Sequence, residues 1–219
     1  MTETIYLPAQ YFTFCEKLIE FQNFFEFSEG KIYDKNTGTA ISSEIVDLVI
    51  NSKQNFDLPN IYQIMAASHQ HLSIGNSFTS HLSPVIKPKG LRIYQECCHI
   101  YIKLKDKFRI PDVVVADFAK RQINAQNQLE NPLWIGEILS PSTENIDLIT
   151  KVEEYQSIES LQEYVIIWQD QPKVLQYSRL NNHWIKTEYE SLNDILTFDS
   201  LEISLPLRVL YEDVDFEKI

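Results

Sequence analysis

Two acidic residues of this chain stand where an acid is expensive. Asp112 follows Pro111 directly and precedes Val113, Val114 and Val115, a β-branched run that predicts a strand buried on both faces. Glu137 stands among Leu133, Trp134, Ile135, Ile138 and Leu139, a second run too apolar for a surface strand. Taking an ionised carboxylate out of water costs several kcal/mol unless a cation or a set of donors compensates it, so two such acids imply a shared partner. A third group follows on a predicted helix. Lys151 lies three residues after Leu148 and four before Tyr155, and so shares their inward face. Two strand-borne carboxylates and an inward lysine are the ingredients of a magnesium-dependent phosphodiesterase. Magnesium takes hard oxygen ligands and needs only one or two protein carboxylates when a phosphate supplies more. The metal would polarise the phosphoryl oxygen and activate water, and the ammonium would steady the charge that builds up. The same three residues are equally compatible with a plain structural arrangement, in which Lys151 neutralises Glu137 as a buried ion pair and Asp112 caps a turn.

The elements that must position these groups are legible in the periodicity. Pro8 to Gln22 reads as an amphipathic helix, and Phe24 to Tyr33 as a hairpin turning at Ser28-Glu29-Gly30. Glu26 lies between Phe25 and Phe27 and points away from them, as an exposed strand residue or a functional one. Asp34 to Met65 offers a short helix over Ser43 to Asn51 and little else. Ala66 to Leu82 resumes helical spacing, closed by Pro84 and Pro88, with His69 and His71 near its start as candidates to line a site. Leu91 to Tyr94 and His99 to Arg109 read as strands. In the second, Lys103, Lys105, Lys107 and Arg109 alternate with apolar residues, which predicts a row of positive charge on one face. Such a row either blunts an edge strand against aggregation or meets phosphates. After Glu137, Ser142 or Thr143 would cap a helix with Glu144 and Asp147 in its first turns and Leu148, Val152 and Tyr155 as its stripe. Glu163 to Trp168, Val174 to Tyr177 and Trp184 to Tyr189 follow as strands with a turn at Asn181-Asn182, then Leu201 to Leu205, and an acidic tail from Glu212 that frays. The expected architecture is α+β or α/β, a mixed central sheet flanked by helices.

Composition narrows the class further. At 219 residues and 44% hydrophobic content the chain can bury one sizeable core, so one domain is expected, with its core over about 8–205 and an acidic tail over 206–219. No apolar run reaches the length of a membrane span and no secretory signal is present, which predicts a cytoplasmic protein. Cys15, Cys97 and Cys98 suggest neither a disulfide framework nor a zinc site. A net charge of −12 argues against a nucleic-acid partner until its distribution is considered. Nine of the 19 basic residues but only four of the 31 acidic ones lie between Lys87 and Arg121, a local balance of +5 around Asp112.

Pro111-Asp112 before an apolar strand, Glu137-Ile138-Leu139-Ser140-Pro141-Ser142-Thr143, then Asp147, Lys151 and Tyr155, and then Glu163-Tyr164 opening the next strand, resemble the Uma-two family of bacterial proteins classed with restriction endonucleases. The resemblance runs from near Tyr11 to about Tyr189. It implies a restriction-endonuclease-like fold of the PD-(D/E)xK superfamily and an endonuclease that hydrolyses phosphodiester bonds of DNA with Mg²⁺ or Mn²⁺. It further implies that Asp112 and Glu137 are the metal-binding acids and that Glu26 adds a third carboxylate. The residue two after Glu137 is Leu139, so the superfamily's lysine is moved onto the following helix as Lys151. One of His69 and His71 matches the histidine that opens the family's second helix, and Ser140 and Tyr155 are expected to line the site. Lys103, Lys105, Lys107 and Arg109 would meet the nucleic acid, and a homodimer is the assembly that cutting both strands suggests. The displaced lysine and the overall acidity also fit a nuclease fold that binds nucleic acid or a protein without cutting.

Overall fold

The computed structural model describes residues 4–18, 25–35, 38–51, 68–95, 98–139 and 146–216. The chain runs α1 (Pro8–Lys17), β1 (Phe25–Ser28), β2 (Lys31–Asp34), α2 (Ser43–Ile50) and α3 (His69–Ile86) into β3 (Leu91–Gln95), β4 (Ile100–Ile102), β5 (Lys107–Arg109) and β6 (Val113–Asp117). It continues through β7 (Trp134–Leu139), α4 (Lys151–Gln156), β8 (Glu163–Trp168), β9 (Val174–Leu180), β10 (His183–Tyr189), β11 (Ile195–Phe198) and β12 (Ile203–Pro206). Six strands form a mixed sheet in the order β10-β9-β8-β7-β6-β3, in which only β7 and β8 run parallel. That parallel step needs a crossover, and α4 lies within it. Four more strands form a smaller sheet, β2-β1-β5-β4, and β11 pairs with β12 alone. The fold is of the mixed α+β class, as the sequence predicts.

Alternation along β6 and β7 divides the core. Val113, Val115, Trp134 and Ile138 face α3 and the β11–β12 hairpin, whereas Val114, Ile135 and Leu139 face Tyr155 and Ile158 at α4. Helices α1 and α2 close a third apolar cluster over the small sheet, around Tyr11, Phe14, Phe25 and Phe108. The chain passes from the small sheet into the large one at Ile110-Pro111-Asp112, between β5 and β6. Asp112 therefore sits at the junction. The β1–β2 hairpin turns as expected, with Glu29 at φ 52° and Gly30 at φ 72°, and Asn181 and Asn182 turn β9 into β10 at φ 49° and 65°.

Several elements differ from the sequence reading. The strand expected over His99 to Arg109 is a hairpin, β4 and β5 joined by a 3₁₀ turn at Lys103–Lys105 with Asp106 left-handed at φ 48°. The alternation mimicked one strand because the lysines of the 3₁₀ turn continue the spacing of those in β5, and only Asp106, the left-handed residue, breaks it. Helix α3 runs through Pro84 to Ile86, since burial of Ile86 offsets the backbone bond that proline cannot make. The acidic tail does not fray throughout: Tyr211 is buried, its hydroxyl donates to the Trp168 and Lys173 carbonyls, and Phe216 packs on its ring. The proposed cap at Ser142 or Thr143, Ser140, Cys97 and the last residues of the opening helix lie outside the described residues. The helix that carries Lys151 is described from Ile146, as a wide π-turn leading into α4.

Packing around β7 is tight where it carries the acid. A Cβ on Gly136 would approach the Trp134 indole to 2.5 Å, and Trp134 is wholly buried against Phe78 and Phe198. A Cβ on Gly75 in α3 would meet only ordinary contacts, at 3.4 and 3.6 Å. Gly136→Ala is expected to destabilise the fold by about 1–3 kcal/mol through overpacking. Gly75→Ala should be neutral or stabilising by up to about 1 kcal/mol. Urea denaturation of both variants checks the contrast.

Candidate active site

Register brings the two acids together. Val113 pairs with Gly136 between the antiparallel strands β6 and β7, which sets Asp112 opposite Glu137. Both are buried, at 5% and 2% exposure. Asp112 Oδ2 accepts a hydrogen bond from the Ile138 backbone N–H at 2.7 Å, across the strand pair. Its Oδ1 accepts from Lys35 Nζ at 2.8 Å and has His71 Nε2 at 3.5 Å. Glu137 Oε1 accepts from Lys151 Nζ at 2.9 Å and from the Tyr155 hydroxyl at 2.8 Å. Lys151 thus points inward from the first turn of α4, as its spacing to Leu148 and Tyr155 predicts. Its ammonium also lies 2.8 Å from Asp147 Oδ1, a charge contact without hydrogen-bond geometry, and 3.8 Å from Glu26 Oε1.

Glu26 reaches this cluster from β1. Its Oε1 accepts from the Ile110 backbone N–H at 3.0 Å and its Oε2 from Arg109 Nη1 at 2.8 Å. Arg109 grips Glu154 of α4 with two parallel bonds, at 2.8 and 3.0 Å, the planar fork that guanidinium makes to carboxylate. Lys107 bridges Glu154 and Glu29 at 2.8 and 3.0 Å. The four basic residues expected to share one strand face are therefore split. Lys107 and Arg109 are buried among carboxylates, and Lys103 and Lys105 are exposed on the hairpin tip. His71, rather than the exposed His69, approaches the acids.

Electrostatics differ sharply between the two facing acids. Burial acts to raise the pKa of Asp112, but the Lys35 ammonium and His71 beside it outweigh burial and hold the carboxyl well below its usual range. Burial pushes Glu137 up to about 8, with Asp112 and Asp147 adding to the effect and Lys151 opposing it. Burial also works against the charge on Lys151, but the Asp147, Glu137 and Glu26 carboxylates keep its pKa well above the ordinary lysine value. Lys151 is therefore a fixed cation rather than a base. The described cluster explains the asymmetry. Asp112, Glu137, Glu26, Asp147 and Glu154, with the more exposed Glu29, face the cations Lys35, Lys151, Arg109 and Lys107, and His71 stands beside Asp112. Burial and the facing carboxylates keep Glu137 protonated below about pH 8.

The donor chemistry fits a hard divalent cation. Two buried carboxylates face each other, and magnesium needs only one or two protein carboxylates. Among the described residues no group of three or more His, Cys, Asp or Glu side chains is arranged to hold a metal, so further ligands would come from water or substrate. Next to the acids a cavity of about 240 Å³ is lined by Glu26, Ser28, Tyr33, Lys35, Arg109 and Lys151, with three cationic heads at its wall. The sequence reading missed Lys35, which lies 77 positions from Asp112 in a segment without periodicity. Glu154, three residues after Lys151 on the same helix, carried a signal that could have been read.

An antiparallel strand pair presenting facing acids, followed by a helix that returns a lysine to them, defines a nuclease-like α+β fold. The chain belongs to the Uma2 family, described as "Putative restriction endonuclease", whose model matches residues 44–209. It is 29% identical over 153 residues to the uncharacterized protein sll1609 of Synechocystis sp., covering 69% of this chain and 86% of that protein. Its fold is similar to a crystal structure from Anabaena variabilis described as "a putative nuclease belonging to DUF820". That likeness has a TM-score of 0.59 at 16% identity and covers 86% of this chain and 89% of the other. Among the described residues no helix is long and apolar enough to cross a membrane.

Two measurements check this electrostatic account. Arg109→Met leaves Glu26 and Glu154 buried without their fork and should cost about 3–5 kcal/mol of stability, whereas Lys103→Met should stay within about 0.5 kcal/mol. Glu137 has a folded pKa above its unfolded one, so its contribution is fully present below about pH 4.5 and is lost as pH rises through about 8. Metal-free Glu137→Gln should lack that slope, which reaches at most about 1.4 kcal/mol per pH unit. Denaturation midpoints of wild type and variant across this window test it.

Proposed function

We propose that this protein is a metal-dependent endonuclease that hydrolyses phosphodiester bonds of DNA. The observation that carries the reading is the convergence of Asp112 and Glu137 from adjacent strands with Lys151 from the helix that follows them. Asp112 and Glu137 would hold Mg²⁺ or Mn²⁺, which supplies Lewis acidity toward a phosphoryl oxygen and acidifies water. The residues of the chain do the rest. Lys151 stays charged and stabilises the negative charge that accumulates as water attacks phosphorus and one P–O bond breaks. The Tyr155 hydroxyl orients Glu137, and Glu26 tethers Arg109 beside the cavity. Lys35, Arg109 and Lys151 line the space through which a phosphate approaches. The protein would act as one domain in the cytoplasm, and as a homodimer where both strands of a duplex are cut.

A second reading, a nuclease fold that binds nucleic acid or protein without cutting, is favoured by one observation. Lys35 already sits on Asp112 and Lys151 on Glu137, so both acids have a partner in the absence of metal. Calorimetry with Mn²⁺ separates the two. The nuclease reading expects heat on titration and an affinity that rises with pH up to about 8, because binding displaces the Glu137 proton.

Cleavage itself is the direct test. Purified protein should nick plasmid DNA only with divalent metal, and Asp112→Asn, Glu137→Gln and Lys151→Met should each reduce the rate by about a hundredfold or more. Undiminished cutting by all three variants rejects the assignment.

A further inference from the structure

A second cavity, of about 350 Å³, lies between β3 and the loop after β6, and nothing in the reading above uses it. Tyr94, Cys98, His99, Arg121, Ile123 and Leu129 line it. Its size is within the range of small-molecule pockets, about 300–1,000 Å³. Leu129 is buried and supplies an apolar floor, Tyr94 an aromatic wall, and Ile123 a half-exposed rim.

The cations beside it are unusual in an acidic chain. Arg121 stacks over the Phe118 ring with its guanidinium carbon 4.0 Å from the ring centroid, and its Nη1 donates to the Tyr94 hydroxyl at 3.1 Å. Arg92 lies 5.2 Å from the same ring, which is itself 46% exposed. Among the described residues neither guanidinium is in an ion pair. Arg92 donates to the Lys87 and Leu91 carbonyls, at 3.3 and 2.7 Å, whereas Arg121 reaches the cavity itself. With one of its five N–H donors on Tyr94, Arg121 is pre-oriented to receive a phosphate oxygen.

Position ties this cavity to the acids. Tyr94 pairs with Val114 and so shares a sheet face with it, and Asp112 lies two residues earlier on the same face, roughly 7 Å along the strand. His99 lies close enough to Glu26 to feel its charge. A nucleic-acid strand bound at both Asp112 and this cavity would contact Tyr94.

We propose that this cavity takes an unpaired nucleobase of the substrate strand, with Arg121 on the neighbouring phosphate. The base would stack on Tyr94 and the Arg121–Phe118 pair, a sequence-tolerant mode of holding single strands. Burial lowers the His99 pKa, so its neutral imidazole offers one donor and one acceptor to a base edge. A base within a duplex cannot enter. The substrate of the nuclease proposed above would then be DNA with a single-stranded segment at or beside the cut.

The test is fluorescence anisotropy of the full chain in EDTA, with a labelled mixed-sequence single strand and the blunt duplex of the same sequence. Wild type should prefer the single strand. Arg121→Ala, an exposed position, should weaken single-strand binding about tenfold and leave duplex binding within about twofold. It should also reduce the slope of log affinity against log salt by about 0.7, as loss of one phosphate contact requires. Tyr94→Phe keeps the ring, removes the hydroxyl that fixes Arg121, and should give a smaller loss of the same kind. No single-strand binding by wild type, no effect of Arg121→Ala, or equal losses on both substrates would overturn the inference. It rests on the nuclease reading for its meaning but not for its test. Absent cleavage with Arg121-dependent single-strand binding rejects the nuclease alone, and intact cleavage with no Arg121 effect rejects the subsite alone.

Discussion

Compensation of buried carboxylate charge is the constraint on which this structure depends. Five acids come together where the small sheet meets the large one, and each would cost several kcal/mol if left alone. The chain answers with cations drawn from every neighbouring element: Lys35 after β2, Lys107 and Arg109 on β5, and Lys151 on α4. Two of the carboxylates also take backbone N–H groups, Asp112 from Ile138 and Glu26 from Ile110. Breaking one of these pairs at the crossing between sheets is costly, because removing one partner leaves its mate charged and dry.

The same network sets the chemical character of the site. Arg109 and Lys107 serve mainly to hold α4 against β1 and β5 through Glu154, which keeps Lys151 aimed at Glu137. A cation that is itself surrounded by three carboxylates cannot easily lose its proton, so Lys151 brings fixed charge rather than basicity. The acids divide in the opposite sense: Asp112 is held ionised by Lys35, whereas Glu137 keeps its proton near neutrality. Two like groups pushed apart by their surroundings are a feature of sites that handle protons or metals, although ion-pair networks with no catalytic role produce it as well.

Membership of the Uma2 family and the fold shared with the Anabaena variabilis chain agree with this arrangement without fixing its activity. The family gives the class, and the geometry adds two facing acids, each with its own lysine. Lys107 and Arg109 do not bring their charge to the surface, whereas Lys103, Lys105 and Arg121, the last stacked on Phe118, do.

The sequence by itself determined the strands β6 to β10, the inward face of Lys151 and the burial of Asp112 and Glu137 in apolar runs. Those are local properties, carried by β-branched runs, by alternation and by helical spacing, and each can be read within a dozen residues. It also supplied the family, because the pieces of that motif follow one another in order between Pro111 and Tyr164. Tertiary structure alone decided the partners. Nothing near Lys35 announces a bond to Asp112 across 77 positions, and in the alternation of Lys103 to Arg109 only Asp106 marks the turn, without showing that the residues on its two sides meet opposite fates. Whether a charge is buried, and against which counter-charge, depends on which elements pack together, and periodicity carries no information about that.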